Sequence, residues 1–183
     1  MTDPPAPVAA VPGAPAPGTE LITRLRSRSA EQTRQCAREF GWRLAAGDLV
    51  ILSGELGAGK TTFTQGLAEG LGVRGPITSP TFVIARVHPS LTGGAPLVHV
   101  DAYRLGSLAE LDDLDLDAAV EDSVTVVEWG EGKAEVLAQV HYTVHLARAL
   151  ADDAAEVGDE AGDEADDEAE FLDPRLITIT RVG

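Results

Sequence analysis

The chain of 183 residues has a single cysteine, Cys36, and no long apolar run. One cysteine excludes a disulfide within the chain and fits a reducing compartment, where a lone thiol is usually a small buried apolar side chain. No stretch approaches the roughly 18 apolar residues of a membrane-spanning helix. The first residues also lack the basic and apolar regions of a secretory signal. We therefore expect a cytoplasmic protein without a membrane segment.

Basic residues are also scarce, with 14 Lys and Arg against 30 Asp and Glu, which gives a net charge of −16. Eleven of the acidic residues lie within residues 152–170, which contain no Lys or Arg. The rest of the chain has 19 acidic and 14 basic residues, a net charge of −5, and lacks the basic surface of a nucleic-acid-binding protein. Residues 152–170 are predicted to be a solvated, disordered insertion, with a docking segment for a basic partner as the alternative.

The amino-terminal residues differ in composition from the rest of the chain. Residues 1–19 contain six of the eleven prolines and many Ala and Gly residues. Such a segment cannot bury a core, so we expect a disordered tail. Residues 20–183 are few enough to form one domain, interrupted by the acidic insertion.

The strongest motif joins an apolar stretch, residues 49–53, to the sequence Gly-Glu-Leu-Gly-Ala-Gly-Lys-Thr at residues 54–61. This is the full G-x-x-x-x-G-K-T pattern of a phosphate-binding loop (P-loop) between a strand and a helix. The glycines let backbone N–H groups point at phosphate oxygens, Lys60 reaches the β- and γ-phosphates, and the Thr61 hydroxyl ligates Mg²⁺. The dipole of the following helix also favours an anion. The motif therefore predicts binding of a nucleoside triphosphate.

Strand and helix patterns alternate along the chain. A capping box at Ser29–Gln32 predicts a helix, and a second capping box begins at Ser107. The other predicted elements are helices at 60–71 and 131–138, strands at 49–53, 81–87, 97–100 and 124–127, and antiparallel edge strands at 140–146 and 176–180. This order predicts an α/β, P-loop NTPase-like three-layer fold with a mixed, mainly parallel central sheet and antiparallel edge strands.

Two acidic residues follow short apolar strands. Asp101 comes after Leu-Val-His-Val, and Glu128 comes after Val-Thr-Val-Val. P-loop enzymes supply an acid to Mg²⁺ from such a strand end, and ligands of α/β sheets bind at the carboxyl ends of the strands. Glu128 would ligate the metal or orient the attacking water, and a surface acid in a turn is the alternative. Trp129 is either a core aromatic or a ring close to the nucleotide.

Three other positions each have two interpretations. The segment from Thr78 to Thr81 would sense the γ-phosphate through a hydroxyl, as in nucleotide switches, or be an ordinary Ser/Pro turn. Arg104 would reach a phosphate or form a salt bridge. His99 lies on an apolar strand, where a core histidine with a satisfied hydrogen bond is the favoured interpretation.

Four motifs occur in order along the chain: residues 54–62, 79–82, 99–104 and 128–131. Together they resemble the TsaE family, small bacterial ATPases of tRNA threonylcarbamoyladenosine biosynthesis, whose patterns run G-[DE]-L-G-A-G-K-T-T, S-P-T-[FY], H-x-D-x-Y-R and E-W. The resemblance covers about residues 27–147 and the last strand near 175–181. Ala102 departs from the usual bulky residue before the tyrosine.

The resemblance implies a Mg²⁺-dependent ATPase that works with a TsaD-like transferase and its TsaB-like companion. Those partners attach a threonylcarbamoyl group to the adenosine next to the anticodon, and ATP hydrolysis resets their complex. The protein itself would be a monomer and meet tRNA only through its partners.

The site residues implied by the resemblance fall into three overlapping groups. Lys60, Asp101 and Glu128 are expected to be catalytic, and Thr61, Asp101 and Glu128 to bind the metal. The expected nucleotide-binding residues are Glu55, Leu56, Gly57, Ala58, Gly59, Lys60, Thr61, Thr62, Ser79, Thr81 and Trp129, with Ser79 and Thr81 in the switch.

Two other functions remain open from the sequence. A small-molecule kinase of the P-loop class would need basic residues to hold the transferred phosphoryl group, and residues 105–123 contain no Lys or Arg. A nucleotide-bound assembly factor would bind ATP, and any hydrolysis would be incidental. Turnover that increases with the partners would distinguish the partner-dependent ATPase from both.

Overall fold

The computed structural model describes residues 18–78, 85–104, 117–149 and 174–183. These residues form a seven-stranded sheet in the order β1-β7-β6-β2-β5-β4-β3. The strands are β1 (Thr19–Ser27), β2 (Leu49–Gly54), β3 (Ala85–His88), β4 (Leu97–Asp101), β5 (Val124–Glu128), β6 (His141–Arg148) and β7 (Arg175–Val182). The helices are α1 (Ala30–Gly41), α2 (Lys60–Leu71) and α3 (Asp117–Asp122), and two 3₁₀ helices span Ala102–Arg104 and Ala134–Leu137.

The four central strands run parallel. β2 pairs in parallel with both β5 and β6, and β4 pairs in parallel with β5. At the two edges, β1 and β3 pair antiparallel with β7 and β4. The predicted α/β fold with a mixed sheet and antiparallel edge strands is confirmed. The parallel arrangement brings the carboxyl ends of β2, β4 and β5 to one edge of the sheet.

One face of the sheet is covered by α1 and α2. The helices bury Ala37, Phe40, Phe63 and Leu67 against alternate residues of the strands. The two helices approach closely because glycines of α2 face α1: a Cβ at Gly66 would lie 2.2 Å from the carbonyl oxygen of Arg34. A smaller apolar cluster on the other face packs against the 3₁₀ helix Ala134–Leu137.

The predicted capping box begins α1. The Ser29 hydroxyl accepts a hydrogen bond from the Gln32 amide at 3.1 Å. The Gln32 side chain in turn accepts one from the Arg28 amide at 2.6 Å. Ser29 is in extended conformation, as expected of the residue that caps a helix.

Several predicted elements differ from the structure. Residues 131–138 contain only a 3₁₀ helix, Ala134–Leu137. The strands predicted at 140–146 and 176–180 pair antiparallel with each other, but neither is an edge strand, because β6 also pairs with β2 and β1 covers β7. The sequence analysis missed β1, which begins at Thr19, the last residue of the predicted tail.

Other predictions fall wholly or partly on residues outside the described ranges. The tail up to residue 17, the switch positions Ser79 and Thr81, the second capping box from Ser107 and the acidic insertion 152–170 all lie there. The strand predicted at 81–87 is described only from Ala85. Among the described residues, no helix has both the length and the apolar character to cross a membrane.

Candidate functional site

The P-loop connects β2 to α2 through backbone conformations that favour glycine. Gly54, Gly57 and Gly59 have φ angles of 132°, 76° and 104°, in the region that L side chains rarely adopt. At Gly54 there is also no space for a side chain, since a Cβ would lie 2.2 Å from the carbonyl oxygen of Leu146. These glycines let the loop fold back over the end of β2 and start α2 at Lys60.

The Lys60 side chain is folded back onto the loop. Its ammonium donates hydrogen bonds to the carbonyl oxygens of Gly54 and Glu55, at 2.8 and 2.9 Å. It also lies 3.4 Å from the centroid of the Trp129 ring, a cation–π contact. Burial lowers the pKa of Lys60, and the nearby Glu128 and Asp101 carboxylates partly oppose that shift. The ammonium of Lys60 therefore already contacts two carbonyl oxygens and an aromatic ring.

Asp101 and Glu128 lie side by side at the carboxyl ends of β4 and β5. They are direct partners in the parallel pairing of these strands. Both are buried, at 7% and 2% exposure. One Asp101 oxygen accepts a hydrogen bond from the Tyr103 amide at 3.0 Å, which closes the turn into the 3₁₀ helix. The structure thus brings together the two acids that sequence analysis expected at one sheet edge.

Glu128 accepts hydrogen bonds from side chains on two elements. The Thr61 hydroxyl of α2 donates to Oε2 at 3.1 Å. Thr64, one turn further along α2, lies 3.3 Å from Oε1. His99 Nε2, on β4, lies 2.8 Å from the same Oε1. Glu128 therefore links β4, β5 and the first turns of α2.

His99 was predicted to be a core histidine, and it is fully buried. Its hydrogen-bond partner, however, is the Glu128 carboxylate, so it belongs to the site. The sequence contained a usable signal, because His99 and Asp101 are two residues apart and side chains alternate along a strand. The side chains of Asp101 and His99 must therefore lie on the same face of the sheet.

Trp129 follows Glu128 in a left-handed conformation, with φ of 61°, the one non-glycine residue with positive φ in the described ranges. For a bulky residue this conformation is strained, and such strain is often found at functional sites. Its ring packs against the Tyr103 ring, with 5.1 Å between centroids, and covers Lys60. Trp129 is thus a ring at the P-loop rather than an aromatic of the central core.

A pocket of about 660 Å³ opens beside the loop. Its lining includes residues that sequence analysis did not single out, among them Lys133 and His145, and His145 Nδ1 lies 2.9 Å from Ser53 Oγ. Among the described residues, the lining consists of Ser53, Gly54, Glu55, Tyr103, Trp129, Glu131, Lys133 and His145. No arginine of the described residues is part of it.

The donor set at this edge fits a hard divalent cation. Mg²⁺ prefers oxygen ligands, keeps several waters and usually takes only one or two protein carboxylates. The Thr61 hydroxyl and the Asp101 and Glu128 carboxylates are oxygen donors at the start of α2 and the ends of β4 and β5. No cluster of three His, Cys, Asp or Glu side chains suited to a metal occurs in the described part of the chain. A cation here would therefore depend on phosphate oxygens and water for its remaining ligands.

The remaining predicted nucleotide-binding residues differ in accessibility. Glu55, Leu56 and Gly57 are exposed at the tip of the loop, with Leu56 at 83%. Ala58 is buried beneath it, and Thr62 lies half-buried in the first turn of α2. Ser79 and Thr81 fall outside the described residues, so their predicted role as a switch stays a prediction.

The fold and this site define a P-loop NTPase-like α/β protein. Comparison with known proteins narrows the class. The sequence profile of the family described as threonylcarbamoyl adenosine biosynthesis protein TsaE matches residues 27–155. The chain belongs to the TsaE family, and its role therefore lies in tRNA threonylcarbamoyladenosine biosynthesis.

Individual relatives agree with this placement. The tRNA threonylcarbamoyladenosine biosynthesis protein TsaE of Streptomyces coelicolor is 73% identical over 107 residues, which cover 56% of this chain and 72% of the relative. The protein of the same name from Mycobacterium tuberculosis is 51% identical over 131 residues, covering 68% and 75%. The crystal structure of Bacillus subtilis YdiB is similar with a TM-score of 0.63 and 31% identity, covering 90% of this chain and 88% of that one.

Proposed function

We propose that this chain is a Mg²⁺-dependent ATPase of the tRNA threonylcarbamoyladenosine modification machinery, which resets a complex of TsaB- and TsaD-like partners by hydrolysing ATP. One observation carries the proposal: the P-loop lysine, the Thr61 hydroxyl and two buried carboxylates meet at the start of α2. Such an arrangement suits phosphoryl transfer, which depends mainly on positioning and charge stabilisation.

Each group has a distinct task in this proposal. The backbone N–H groups of the P-loop and the start of α2 bind the phosphates, and Lys60 pairs with the β- and γ-phosphates. Thr61, Asp101 and Glu128 would hold Mg²⁺, which when bound would neutralise charge on the β- and γ-phosphate oxygens. One oxygen of Glu128 accepts a hydrogen bond from the Thr61 hydroxyl, and there Glu128 would ligate the metal or orient the attacking water.

ATP binding requires two local rearrangements. Lys60 must exchange the carbonyl oxygens of Gly54 and Glu55 for phosphate oxygens, because its three N–H groups cannot serve both sets at once. The Trp129 ring, which covers the ammonium, must then move as well. The Thr61 hydroxyl can keep its hydrogen bond to Glu128, because a lone pair of its oxygen remains for the metal. Phosphate thus competes with contacts that the loop makes with itself.

Hydrolysis by the isolated chain should be slow. In P-loop enzymes an arginine that reaches the γ-phosphate adds about 10³–10⁵ in rate. No arginine of the described residues lines the pocket beside the loop. A partner that supplies such a charge, or that contacts the proposed switch residues Ser79 and Thr81, would accelerate turnover.

The proposal is tested by phosphate release from Mg·ATP, measured for the purified chain alone and with the TsaB- and TsaD-like proteins of the same organism. We expect slow release alone and a large increase with the partners. A Lys60→Ala variant, mixed with the same partners, is the control for contaminating ATPases. Rapid turnover by the chain alone, unaffected by the partners, would instead favour a small-molecule kinase. ATP binding without any turnover would favour an assembly factor.

A further inference from the structure

We propose that His99 is a positioning residue: it holds one oxygen of Glu128 in place so that the other faces Thr61 and the nucleotide. The proposal rests on the function proposed above and adds a residue to its machinery.

Strand geometry directs His99 and the two acids toward α2. His99 and Asp101 are two residues apart in β4, so they share a face of the sheet. Val98, before His99, and Val100, between His99 and Asp101, belong to the apolar cluster on the opposite face. Glu128 is the direct partner of Asp101 in β5, so His99 lies diagonally across from it. His99 Nε2 and Glu128 Oε1 are 2.8 Å apart, with side-chain exposures of 0% and 3%.

The two oxygens of Glu128 have different partners. Oε1 faces His99 at 2.8 Å and Thr64 at 3.3 Å, whereas Oε2 faces the Thr61 hydroxyl at 3.1 Å. The single hydroxyl proton of Thr64 has a second acceptor, the carbonyl oxygen of Lys60, at a shorter 3.0 Å. His99 is therefore the principal donor to Oε1. With Oε1 fixed in this way, the plane of the carboxylate directs Oε2 at the Thr61 hydroxyl, beside which a metal ion would bind.

A purely structural role does not account for a histidine here. Within the described residues, Nδ1 of His99 is buried without a hydrogen-bond partner. An unsatisfied buried polar atom costs free energy that an apolar side chain of similar size would avoid. The hydrogen bond from Nε2 to Glu128 is what a leucine could not supply. Donors that orient the ligands and acids of a site are worth about 10–100-fold in activity or metal affinity when removed.

The test compares His99→Leu with His99→Gln. Leucine fills the space without a donor, whereas the amide nitrogen of glutamine can occupy the position of Nε2. We expect His99→Leu to lower kcat for partner-stimulated ATP hydrolysis by about 10–100-fold while the Kd for ATP stays near that of the wild type. His99→Gln should recover most of the rate. The matched control is His141→Leu, which replaces a histidine of similar burial at the amino end of β6.

A folded His99→Leu variant with the wild-type kcat would overturn the proposal. Equal losses in His99→Leu and His99→Gln would also overturn it, because the shape of the imidazole rather than its hydrogen bond would then matter. Melting temperatures and circular dichroism establish whether each variant is folded.

A second measurement does not depend on folding of the His99 variants or on activity. In ¹⁵N-histidine-labelled protein, the imidazole of His99 should carry its proton on Nε2, and Glu128→Gln should shift that signal more than the signals of the other three histidines. A His99 ring that carries its proton on Nδ1 alone would contradict the proposal. If the wild-type chain with its partners releases no phosphate, the proposed function fails, while this spectrum still decides whether His99 holds Glu128.

Discussion

Replacement of Glu128 by Gln changes the charge of the site and almost nothing of its volume. The carboxylate accepts hydrogen bonds from Thr61, Thr64 and His99 in a position that is 2% exposed. The amide nitrogen of glutamine donates instead of accepting, so the Thr61 hydroxyl or the His99 imidazole must either accept instead of donate or lose its partner. A buried donor left without a partner costs about 1–3 kcal/mol in the free energy of unfolding.

The expected effect on activity is larger than the effect on stability. For a protein of this size, each kcal/mol lowers the melting temperature by about 2–4 °C, so the variant should remain folded at 25 °C. A positioned general base or water-orienting group contributes about 10²–10⁴ in rate. Because Lys60 and the P-loop backbone are unchanged, ATP affinity should stay close to that of the wild type. The variant should thus separate binding from hydrolysis.

The assay combines thermal unfolding, calorimetric titration with Mg·ATP, and phosphate release with the partners present. Glu20→Gln is the matched control, since Glu20 is an exposed acid of β1, with β7 and β6 between that strand and β2. The control should leave all three quantities unchanged. If Glu128→Gln hydrolysed ATP at the wild-type rate, Glu128 would be a structural acid and the catalytic role assigned to it would be wrong.

Three further predictions concern other parts of the molecule. Lys60→Ala should abolish ATP binding or hydrolysis and leave the fold intact, as checked by circular dichroism; normal affinity and turnover would refute the site. Gly66→Ala should lower the free energy of unfolding by about 1–3 kcal/mol in chemical denaturation. The clash of the added Cβ with the Arg34 carbonyl outweighs a gain in helix propensity of about 1 kcal/mol. A stabilised variant would show that α1 can move away from α2. Burial raises the pKa of the Cys36 thiol to about 11, with a smaller contribution from Glu39, whereas the thiol of the unfolded chain loses its proton near pH 9.0. At pH 8 the thiolate should therefore be about 100-fold scarcer in the native protein than in the unfolded chain. Iodoacetamide should therefore alkylate Cys36 far more slowly in the native protein than in the urea-unfolded chain, and equal alkylation rates would contradict the burial. The free energy of unfolding should also fall as the pH rises above 9.0 toward 11.

The central part of the fold follows from local sequence signals. The P-loop pattern fixed the junction of β2 and α2, and the capping box located the start of α1. The apolar runs before Asp101 and Glu128 predicted two strands that end at the same edge, because parallel strands direct their carboxyl ends together. The roles of these acids in metal binding and hydrolysis stay predictions.

The outer part of the sheet was harder to predict, for identifiable reasons. In β1 the register shifts between Leu21 and Thr23, which breaks the alternation that a sequence pattern relies on. β6 lies inside the sheet, yet its residues from Thr143 to Ala147 alternate between buried and partly exposed, as they would in an edge strand. Alternation reports burial on one face and does not reveal how many neighbours a strand has. Position within the sheet is set by long-range pairing.

The contact between His99 and Glu128 illustrates the same limit for the site. The two residues are 29 positions apart, and the pattern of β4 indicates only that His99 shares a face with Asp101. Only the parallel pairing of β4 and β5 brings them within hydrogen-bonding distance. The left-handed conformation of Trp129 was equally hidden, since nothing in the sequence marks a bulky residue for that region.

The central claim is that the chain is an ATPase whose turnover depends on its partners. The most direct measurement is the rate of phosphate release from Mg·ATP by the full chain, alone and with the TsaB- and TsaD-like pair. We predict slow release alone, an increase of several orders of magnitude with the pair, and no increase when Lys60→Ala replaces the wild type. A rate that is the same with and without the partners, or that persists in Lys60→Ala, would contradict the account.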